Sequence, residues 1–536
     1  MEVVEQEALL SRLAQAGALP ADVDRIRAVF DSYAWVAGLV EQKSMSVTRL
    51  RQILFGSRTE KTADVLGPDA APADPNSSAS AANSLADPAA APADPSSPAA
   101  SAEKPKRKGH GRNGAADYPG AKRVSVPLES LKAGDLCLAC GDGIVYDLAT
   151  PGVLIRLTGQ APVQAIIYEL QKLRCNLCGK IFTAAPPASA GSDKHDATVG
   201  SVIALLKYGG GFPFHRFERF QENVGLPLPA STQWEIVEEV ASMAQPAYDE
   251  LVRRAAQGEV LHNDDTAVKI LERMRASAIQ PTTAEDAADE RQQAKDRTGL
   301  FTTGIVATNA DQRIALFFSG PRHAGENLAE VLKHRTQVLP PPIQMCDALS
   351  RNVPRDFQTI LANCLAHARR KFVEVTPSFK DECKYVLEAI GTVYHHDAEA
   401  RRSQLTPDER LKCHQTHSEP VLNGLKDWMQ KQVDERLVEP NSGLGTAIEY
   451  LRKHWTKLTL FLRVPGAPLD NNIVERALKK AILHRKNALF FRTQHGADVA
   501  DRMMSLIYTC ELNGANAFDY LTELQRHASE AQANPS

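Results

Sequence analysis

Near its C-terminal end the chain reads Pro468-Leu469-Asp470-Asn471-Asn472-Ile473-Val474-Glu475-Arg476. A proline followed by residues that favour helix N-termini predicts a helix that begins near Asn472 and carries Glu475 in its first turn. One carboxylate at the head of a basic helix suits a metal ligand that faces a polyanion. Asn at the cap and Glu three positions later also form the pattern of a capping box, so these residues alone leave a structural role open. From Glu475 to Arg492 the chain has six cations and no further acid: Arg476, Lys479, Lys480, Arg485, Lys486 and Arg492.

Length and composition predict an intracellular protein of several domains. The chain has 536 residues, of which 43% are hydrophobic, and this length indicates three or four domains. It contains no run of 18 apolar residues and no signal-peptide pattern at its acidic N-terminus, so we expect a cytoplasmic protein without a membrane partner. The net charge is −3, so binding to nucleic acid would require local basic patches. Nine cysteines, four of them in two Cys-x-x-Cys pairs, favour a reducing compartment and metal-bound thiolates.

Residues 1–61 are predicted to be helical. Apolar residues recur every seven positions from Ile26 to Leu54, which is the pattern of a short coiled coil with Lys43 as a misfit. A helical hairpin that packs on its own domain is the alternative, and the coiled coil would make the protein a homodimer or a higher oligomer.

Residues 62–113 are predicted to be a disordered linker with a basic end. The segment to residue 103 consists largely of Ala, Pro, Ser and Asp, which cannot bury enough surface to offset the ordering entropy. It leads into a cationic stretch that contains Lys106, Arg107 and Lys108. This stretch is either a solvated tail or a flexible arm that binds phosphates.

Residues 114–190 are predicted to form a zinc-binding ribbon. Two residues between thiolates is the spacing of a zinc knuckle, and two knuckles supply the four sulfurs of a closed, structural, tetrahedral site. Four unbound buried thiols are the alternative, which the polar surroundings of both pairs disfavour. The ligands would be Cys137, Cys140, Cys175 and Cys178, with strands expected at Val153–Leu157 and Ala165–Leu170.

Residues 191–250 are predicted to be a helix-turn-helix region. A helix is expected over Phe214–Asn223, a turn at Val224-Gly225-Leu226, and a second helix from Ser231 through Val240. This outline fits a DNA-reading motif and, equally, an ordinary helical hairpin.

Residues 251–495 are predicted to be an α/β core of the ribonuclease-H-like class. The order is three strands, a helix, a strand, a further strand and a helix, with a polar loop or hairpin at 271–298, a helical insertion at about 380–465 and a C-terminal helical domain at 496–536. The expected strands are Gly258–Asp264, Gly299–Ala307, Arg313–Ser319, Pro342–Cys346 and Thr359–Cys364, and the expected helices are Ala324–Lys333 and His367–Val375.

Three carboxylates predict a hard-metal site in this core. Asp264 and Asp347 each follow an apolar strand, and ligands gather beyond the carboxyl ends of strands in α/β sheets. At about 4 Å and an effective dielectric of about 20, two such charges repel by about 4 kcal/mol, which a cation between them relieves. With Glu475 they offer oxygen ligands for Mg²⁺ or Mn²⁺. The neighbouring Asp265 is the alternative first ligand, on the opposite side of the pleat.

Several motifs, in order along nearly the whole chain, resemble transposases of the insertion-sequence-66 family, which carry an Asp-Asp-Glu triad. The resemblance implies a leucine-zipper-like N-terminus, a zinc finger, a helix-turn-helix and a catalytic triad at Asp264, Asp347 and Glu475. The family usually has Asp-x-Tyr at the second aspartate, whereas this chain reads Asp347-Ala348-Leu349. The matching stretches are Leu54–Lys61, the two Cys-x-x-Cys pairs, Asp264–Thr266, Cys364–Phe372, Asp470–Phe490 and Thr509–Gly514.

The resemblance implies metal-dependent cleavage at the terminal inverted repeats of an insertion sequence, followed by strand transfer into target DNA. It also implies a nucleoid-associated bacterial protein, with small accessory proteins encoded by the same element as further partners. A zinc- and DNA-binding regulator that no longer cuts, and a nuclease that cleaves without joining, are the alternatives. The cations expected on phosphates are Lys106, Arg107, Lys108, Arg369, Arg370, Lys371, Arg476, Lys479, Lys480, Arg485 and Lys486.

Overall fold

The computed structural model describes residues 162–174, 181–191, 193–279, 299–309 and 312–533, together with isolated positions before residue 146. The expected coiled coil, the linker, its basic stretch at 106–108 and the four knuckle cysteines lie outside these residues. Within the described part, no helix is long and apolar enough to cross a membrane.

A five-stranded mixed sheet forms the centre of the fold. The strand order is β5-β4-β3-β6-β7; β3 pairs antiparallel with β4 and parallel with β6, β5 pairs antiparallel with β4, and β7 pairs parallel with β6. This order is compatible with the expected ribonuclease-H-like core. The strands are β3 (Val260–Ala267), β4 (Phe301–Thr308), β5 (Arg313–Gly320), β6 (Ile343–Cys346) and β7 (Ile360–Asn363).

The helices begin and end close to the expected positions. After a first two-stranded hairpin, β1 (Lys172–Arg174) with β2 (Ile181–Thr183), four helices precede β3. In chain order the helices are α1 (Ala197–Ala204), α2 (Phe214–Asn223), α3 (Ala230–Met243), α4 (Gln245–Ala256), α5 (Leu271–Ile279), α6 (Ala324–Leu332), α7 (Leu365–Val375), α8 (Lys380–Arg402), α9 (Pro407–Cys413), α10 (Glu419–Asp434), α11 (Gly443–Leu458), α12 (Asn472–Ala488), α13 (Gln494–Leu512), α14 (Ala517–Arg526) and α15 (Ala528–Ala533).

Two apolar cores stabilise this arrangement. Helices α4 and α6 pack on the sheet through a buried cluster that includes Leu261, Ile305 and Leu316. Helices α7, α8, α10 and α11 enclose a second cluster, which reaches β6 at Met345. The predicted helical insertion at 380–465 is therefore a packed helical layer with its own core.

The outer edge of β5 is covered by polar side chains of α13. The backbone N–H groups of alternate residues along β5 donate to side chains four residues apart along the helix. Four helical residues rise about 6 Å and two strand residues about 6.7 Å, so the two repeats stay in step. An edge strand that would otherwise expose unpaired N–H groups is satisfied within the chain. The pairs are Arg313 with Asn513, Ala315 with Thr509, Phe317 with Ser505, and Ser319 with Asp501.

The helix-turn-helix outline is present at the expected residues. Helix α2 ends at Asn223, Gly225 adopts a positive φ of 77° in the turn, and α3 begins at Ala230. The buried Gln233 donates to the carbonyl oxygens of Phe214 and Leu228, which fixes the angle between the two helices.

Three local expectations are wrong. Strand β3 continues to Ala267 instead of ending at Asp264, because Asp264 to Ala267 pair with Gly304 to Phe301 of β4. Residues 271–279 form α5 rather than a loop, since Ile270 pairs with Phe491 and Leu271 donates to the carbonyl of Phe491. Residues 165–170 do not form the expected strand.

Each Cys-x-x-Cys pair lies between backbone segments that pair antiparallel. Strands β1 and β2 flank the second pair, at Cys175 and Cys178. In residues 78–166, which form a separate unit, Leu136 and Ile144 make an antiparallel bridge on either side of the first pair.

Candidate active site

The parallel pairing of β3 with β6 brings two of the predicted carboxylates together. The register aligns His262 with Met345, and two residues further along the chain in each segment are Asp264 and Asp347. Asp347 directly follows the carboxyl end of β6, whereas Asp264 lies within β3, just beyond the residues that pair with β6.

Asn471, which directly precedes α12, fixes the start of this helix to β3 next to Asp264. Its buried side chain donates to the carbonyl oxygen of Asn263 (3.1 Å) and contacts His262 Nδ1 (3.1 Å), and its backbone N–H points to Cys364 Sγ (3.2 Å). Asn263 immediately precedes Asp264 in β3. The first turn of α12, with Glu475, is therefore held beside the two aspartates.

A glycine in β4 permits this close approach. Gly304 pairs with Asp264, and a Cβ atom on Gly304 would lie 3.0 Å from Leu478 Cδ2 and 3.1 Å from Val474 Cγ2 of α12. The helix lies directly on the strand at the level of the carboxylates.

Gly304→Val is expected to destabilise the protein by about 1–3 kcal/mol, because overpacking displaces α12. Chemical unfolding measures this loss of stability. Gly391→Ala is the control, since a Cβ there meets nothing within 4 Å. Unchanged stability in Gly304→Val would contradict this packing.

The environment of Asp264 disfavours its charged form. Burial, the largest cause, and the negative charges of Asp347, Asp265 and Glu475 together raise the pKa of Asp264 to about 7, against one backbone hydrogen bond from Asp265. All three neighbouring acids are thus close enough to Asp264 to disfavour its ionised form. Without a cation, that region holds more negative charge than it stabilises.

Asp265 has a different function in the fold. Its side chain is 1% exposed; Oδ1 accepts a hydrogen bond from Thr303 Oγ1 (2.6 Å), and Oδ2 accepts one from the backbone of Ala324 (3.0 Å) and lies 3.3 Å from His323 Nδ1. Oδ2 therefore fixes the N-terminus of α6 to the sheet, while Oδ1 is bonded to β4.

Asp347 is positioned by a buried polar network that the sequence analysis missed. Its Oδ1 accepts from the side chain of Asn352, whose carbonyl oxygen accepts from Asn263 (2.7 Å) and Gln344 (2.7 Å). Gln344 also donates to Asn263 (3.0 Å). Three amide residues at separated positions carry no recognisable spacing, so only the fold reveals this support.

Glu475 is not part of a capping box. The side chain of Asn471 bonds to β3, and Asp470 accepts from the backbone of Asn472. Glu475 Oε1 is buried and accepts no hydrogen bond from the described residues, and it lies 3.7 Å from His367 Nδ1, which is likewise unpartnered. The competing structural role for Glu475 is therefore absent.

Comparison with known proteins identifies the family at this point. The family described as "Transposase IS66 family" matches residues 195–499, which is more than half of the chain and includes the whole site above. The chain belongs to the IS66 transposase family.

Three curated relatives are all uncharacterized proteins of Sinorhizobium fredii (strain NBRC 101917 / NGR234). Protein y4jD is 26% identical over 65% of this chain and 66% of its own length, and y4hP is 25% identical over 90% and 84%. Protein y4qI is 23% identical over 60% of this chain and 58% of its own length. The chain thus spans less than two thirds of the length of two of these relatives.

A tyrosine from the insertion lies near Asp347 of this IS66 family member. Burial is the main cause that raises the pKa of Tyr450 in α11 to about 12, and the charge of Asp347 acts in the same direction. Tyr450 is thus close to Asp347, although position 349 of this chain is leucine.

Some cations of α7 and α12 are engaged or partly buried within the protein, and others are exposed to solvent. Lys480 binds Glu511 (2.8 Å) and the carbonyl of Gly209, and Arg485 binds Thr266 and Ala267, so both hold α12 in place. Lys371 Nζ lies 4.6 Å from the ring centre of Tyr450. Arg369 and Arg370 are half-buried, whereas Arg476, Lys479, Lys486 and Arg492 are exposed.

Proposed function

We propose that this chain is an Asp-Asp-Glu transposase that binds the terminal inverted repeats of its element, hydrolyses one phosphodiester at each end and joins the freed 3′ end to target DNA. The proposal rests on the pairing of β3 with β6, which places Asp264 and Asp347 on neighbouring segments, and on the bond of Asn471 to β3, which fixes the start of the helix that carries Glu475. Family membership supports a transposase role in general.

The donor set fits Mg²⁺ or Mn²⁺. Three carboxylates are hard oxygen ligands, and a bound cation would offset the burial and the neighbouring charges that disfavour ionised Asp264. When bound, the ions would lower the pKa of the attacking water and stabilise the leaving oxygen of an in-line displacement. Asp264 supports this role better than Asp265, because the two oxygens of Asp265 are hydrogen-bonded to β4 and to the start of α6.

The residues of the chain supply position and orientation. Asn471 holds the helix of Glu475 on β3, and Asn352 holds Asp347 in its loop. The buried polar network around Gln344 keeps both aspartates on a rigid element, which is what in-line geometry requires.

A strand-transfer assay tests the proposal. A marked DNA segment bounded by the element's own terminal repeats is incubated with the native protein and Mg²⁺, with EDTA, and with Asp264→Asn. We expect cleaved and joined products only with native protein and metal. End binding without cleavage, with or without the accessory proteins of the element, would select a regulator, and cleavage without joining would select a nuclease.

The exposed cations of α12 form the proposed phosphate-binding face. Arg476, Lys479 and Lys486 are spaced by three and seven residues and therefore lie on one side of the helix. Lys480 and Arg485 bond to Glu511 and Thr266 within the protein, so the proposed phosphate-binding face does not include them. This face begins one residue after Glu475, so bound DNA would reach the carboxylates.

The double change Lys479→Gln/Lys486→Gln is expected to make the dependence of log K on log salt shallower by about 2, because each lost phosphate contact removes about 0.9 from the slope. Binding of end DNA measured across several salt concentrations gives this slope. Lys426→Gln/Lys431→Gln on α10, two exposed lysines of equal charge, is the control. Equal slopes for all three proteins would exclude the α12 face.

Structural zinc at Cys137, Cys140, Cys175 and Cys178 remains a proposal from their spacing. Cys137→Ser is expected to remove about one zinc per chain and to weaken DNA binding, because structural zinc supplies folding free energy. Zinc analysis of the purified protein measures this. Native protein with almost no zinc would contradict the site.

A dimer remains the proposed assembly, formed through residues 1–61 and pairing two DNA ends. The helix-turn-helix of α2 and α3 and the cations Lys106, Arg107, Lys108, Arg369, Arg370 and Lys371 are its proposed further DNA contacts.

A further inference from the structure

A cluster of unlike ligand atoms lies behind the third carboxylate. Cys364, His367 and Glu475 each offer one ligand atom, and these three atoms lie within 4.8 Å of one another. They come from two separate elements: Cys364 and His367 from the start of α7, and Glu475 from the first turn of α12. Neither strand pairing nor helix capping explains why these three side chains lie together.

The atoms of this cluster have no adequate partners among themselves. His367 Nδ1 and Glu475 Oε1 are both buried without a hydrogen bond, and their separation of 3.7 Å is too long for one. Buried polar atoms normally have partners, so two facing orphans indicate an absent group between them. With zinc–nitrogen and zinc–oxygen bonds of about 2.0–2.2 Å, two such atoms on one tetrahedral ion lie about 3.3–3.5 Å apart, so a small shift of either side chain from the separation of 3.7 Å would let both bind one ion.

The chemistry of the donors selects a soft ion. A thiolate and an imidazole are ligands for zinc and similar transition metals, whereas Mg²⁺ prefers oxygen. Burial raises the pKa of the Cys364 thiol to about 12, against the backbone N–H groups of Asn471 and His367, so Cys364 is a neutral thiol until a bound ion displaces its proton. Cys364, His367 and Glu475 thus resemble a three-ligand zinc site with one open position.

We propose that Cys364, His367 and Glu475 form a second, regulatory site for Zn²⁺ or a similar soft divalent ion, separate from the four-cysteine ribbon. Glu475 belongs to both this site and the proposed catalytic site. An ion held by Cys364 and His367 draws the Glu475 carboxylate towards α7 and away from Asp264 and Asp347. Zinc is then an inhibitor that competes with Mg²⁺ for one shared ligand; this consequence, unlike the binding itself, rests on the proposed function.

The test begins with metal binding by the full chain. Protein carrying its tightly held zinc is titrated with additional Zn²⁺ against a chromophoric chelator, and with Co²⁺ to detect thiolate-to-metal absorption. We expect one further site per chain in the native protein. Cys364→Ser and His367→Gln are expected to weaken it by at least about 100-fold, because even outer partners of a metal ligand contribute about 10–100-fold.

Matched variants separate this site from other thiols and imidazoles. Cys383→Ser changes another buried cysteine, and His395→Gln changes an exposed histidine outside the cluster. Both are expected to bind the further Zn²⁺ as the native protein does. His367 is partly exposed, so His367→Gln is expected to fold even if Cys364→Ser does not.

Two readouts keep the outcomes distinct. No further Zn²⁺ site in the native protein, or equal affinity in His367→Gln, would overturn the proposal and leave His367 as a charge neighbour of Glu475. If the native protein cleaves DNA, Zn²⁺ is expected to inhibit the Mg²⁺-dependent reaction. His367→Gln is expected to require at least about 100-fold more Zn²⁺ for the same inhibition. Zinc binding without any cleavage under all conditions would sustain this site while the proposed function fails.

Discussion

Glu475→Gln is expected to lower the rate of DNA strand cleavage by at least about 1,000-fold, while the affinity for end DNA stays within about twofold. The change removes a charge without changing shape. A metal-stabilised transition state depends on several kcal/mol of charge stabilisation, and about 4 kcal/mol corresponds to three powers of ten in rate. Glu475 accepts no hydrogen bond that glutamine would lose, so the start of α12 stays in place.

Single-turnover cleavage and a binding titration on the same DNA measure the two quantities. Glu374→Gln is the matched control, because Glu374 is an exposed glutamate of α7. Cleavage by Glu475→Gln at the rate of the control would remove Glu475 from the catalytic site. Equal loss of binding and cleavage would instead indicate a folding defect.

Asp264→Asn is expected to abolish cleavage to a similar extent and, without metal, to stabilise the protein at pH 8. The pKa of Asp264 is raised from 3.8 to about 7 in the folded state, mainly by burial. The stability that its neutral form provides is complete below about pH 4 and is lost as the pH rises to about 7. Above pH 7 the native protein therefore carries an unfavourable buried charge that the asparagine variant lacks.

The measurement is unfolding of both proteins in EDTA between pH 4 and pH 8. The free-energy difference between variant and native protein should increase with pH by at most about 1.4 kcal/mol per pH unit. Comparison of two proteins cancels other groups, including Asp501, whose pKa burial raises to about 8. Added Mg²⁺ should stabilise the native protein and not the variant. A difference that is constant with pH would contradict the environment assigned to Asp264.

The order of elements in the core could be predicted from the sequence because local patterns determine it. Short apolar runs between polar turns predict five strands, and each predicted end lies within three residues of the observed strand end. The helix with Glu475 also begins at the expected residue, Asn472. Asp264 and Asp347 could be expected together because the ends of parallel strands meet.

The support of the site could not be predicted, because it depends on contacts between distant residues. Asn471 is a residue type that commonly caps helices, yet its side chain donates to a backbone carbonyl of β3, more than 200 residues earlier in the chain. Asp265 and Asp264 are adjacent in sequence, and only the position of α6 shows that Asp265 is the one hydrogen-bonded to that helix. The polar residues of α13 at intervals of four form a visible stripe, but the strand edge that they cover follows from the fold alone.

The most direct test of the account is to locate Mn²⁺ by anomalous diffraction in crystals of the full chain bound to end DNA. The account predicts manganese between Asp264, Asp347 and Glu475, with a phosphate oxygen of the DNA in its coordination sphere. Manganese elsewhere in the core, at Asp265 for example, or none within reach of Glu475, would contradict the assignment of the three carboxylates as the catalytic centre.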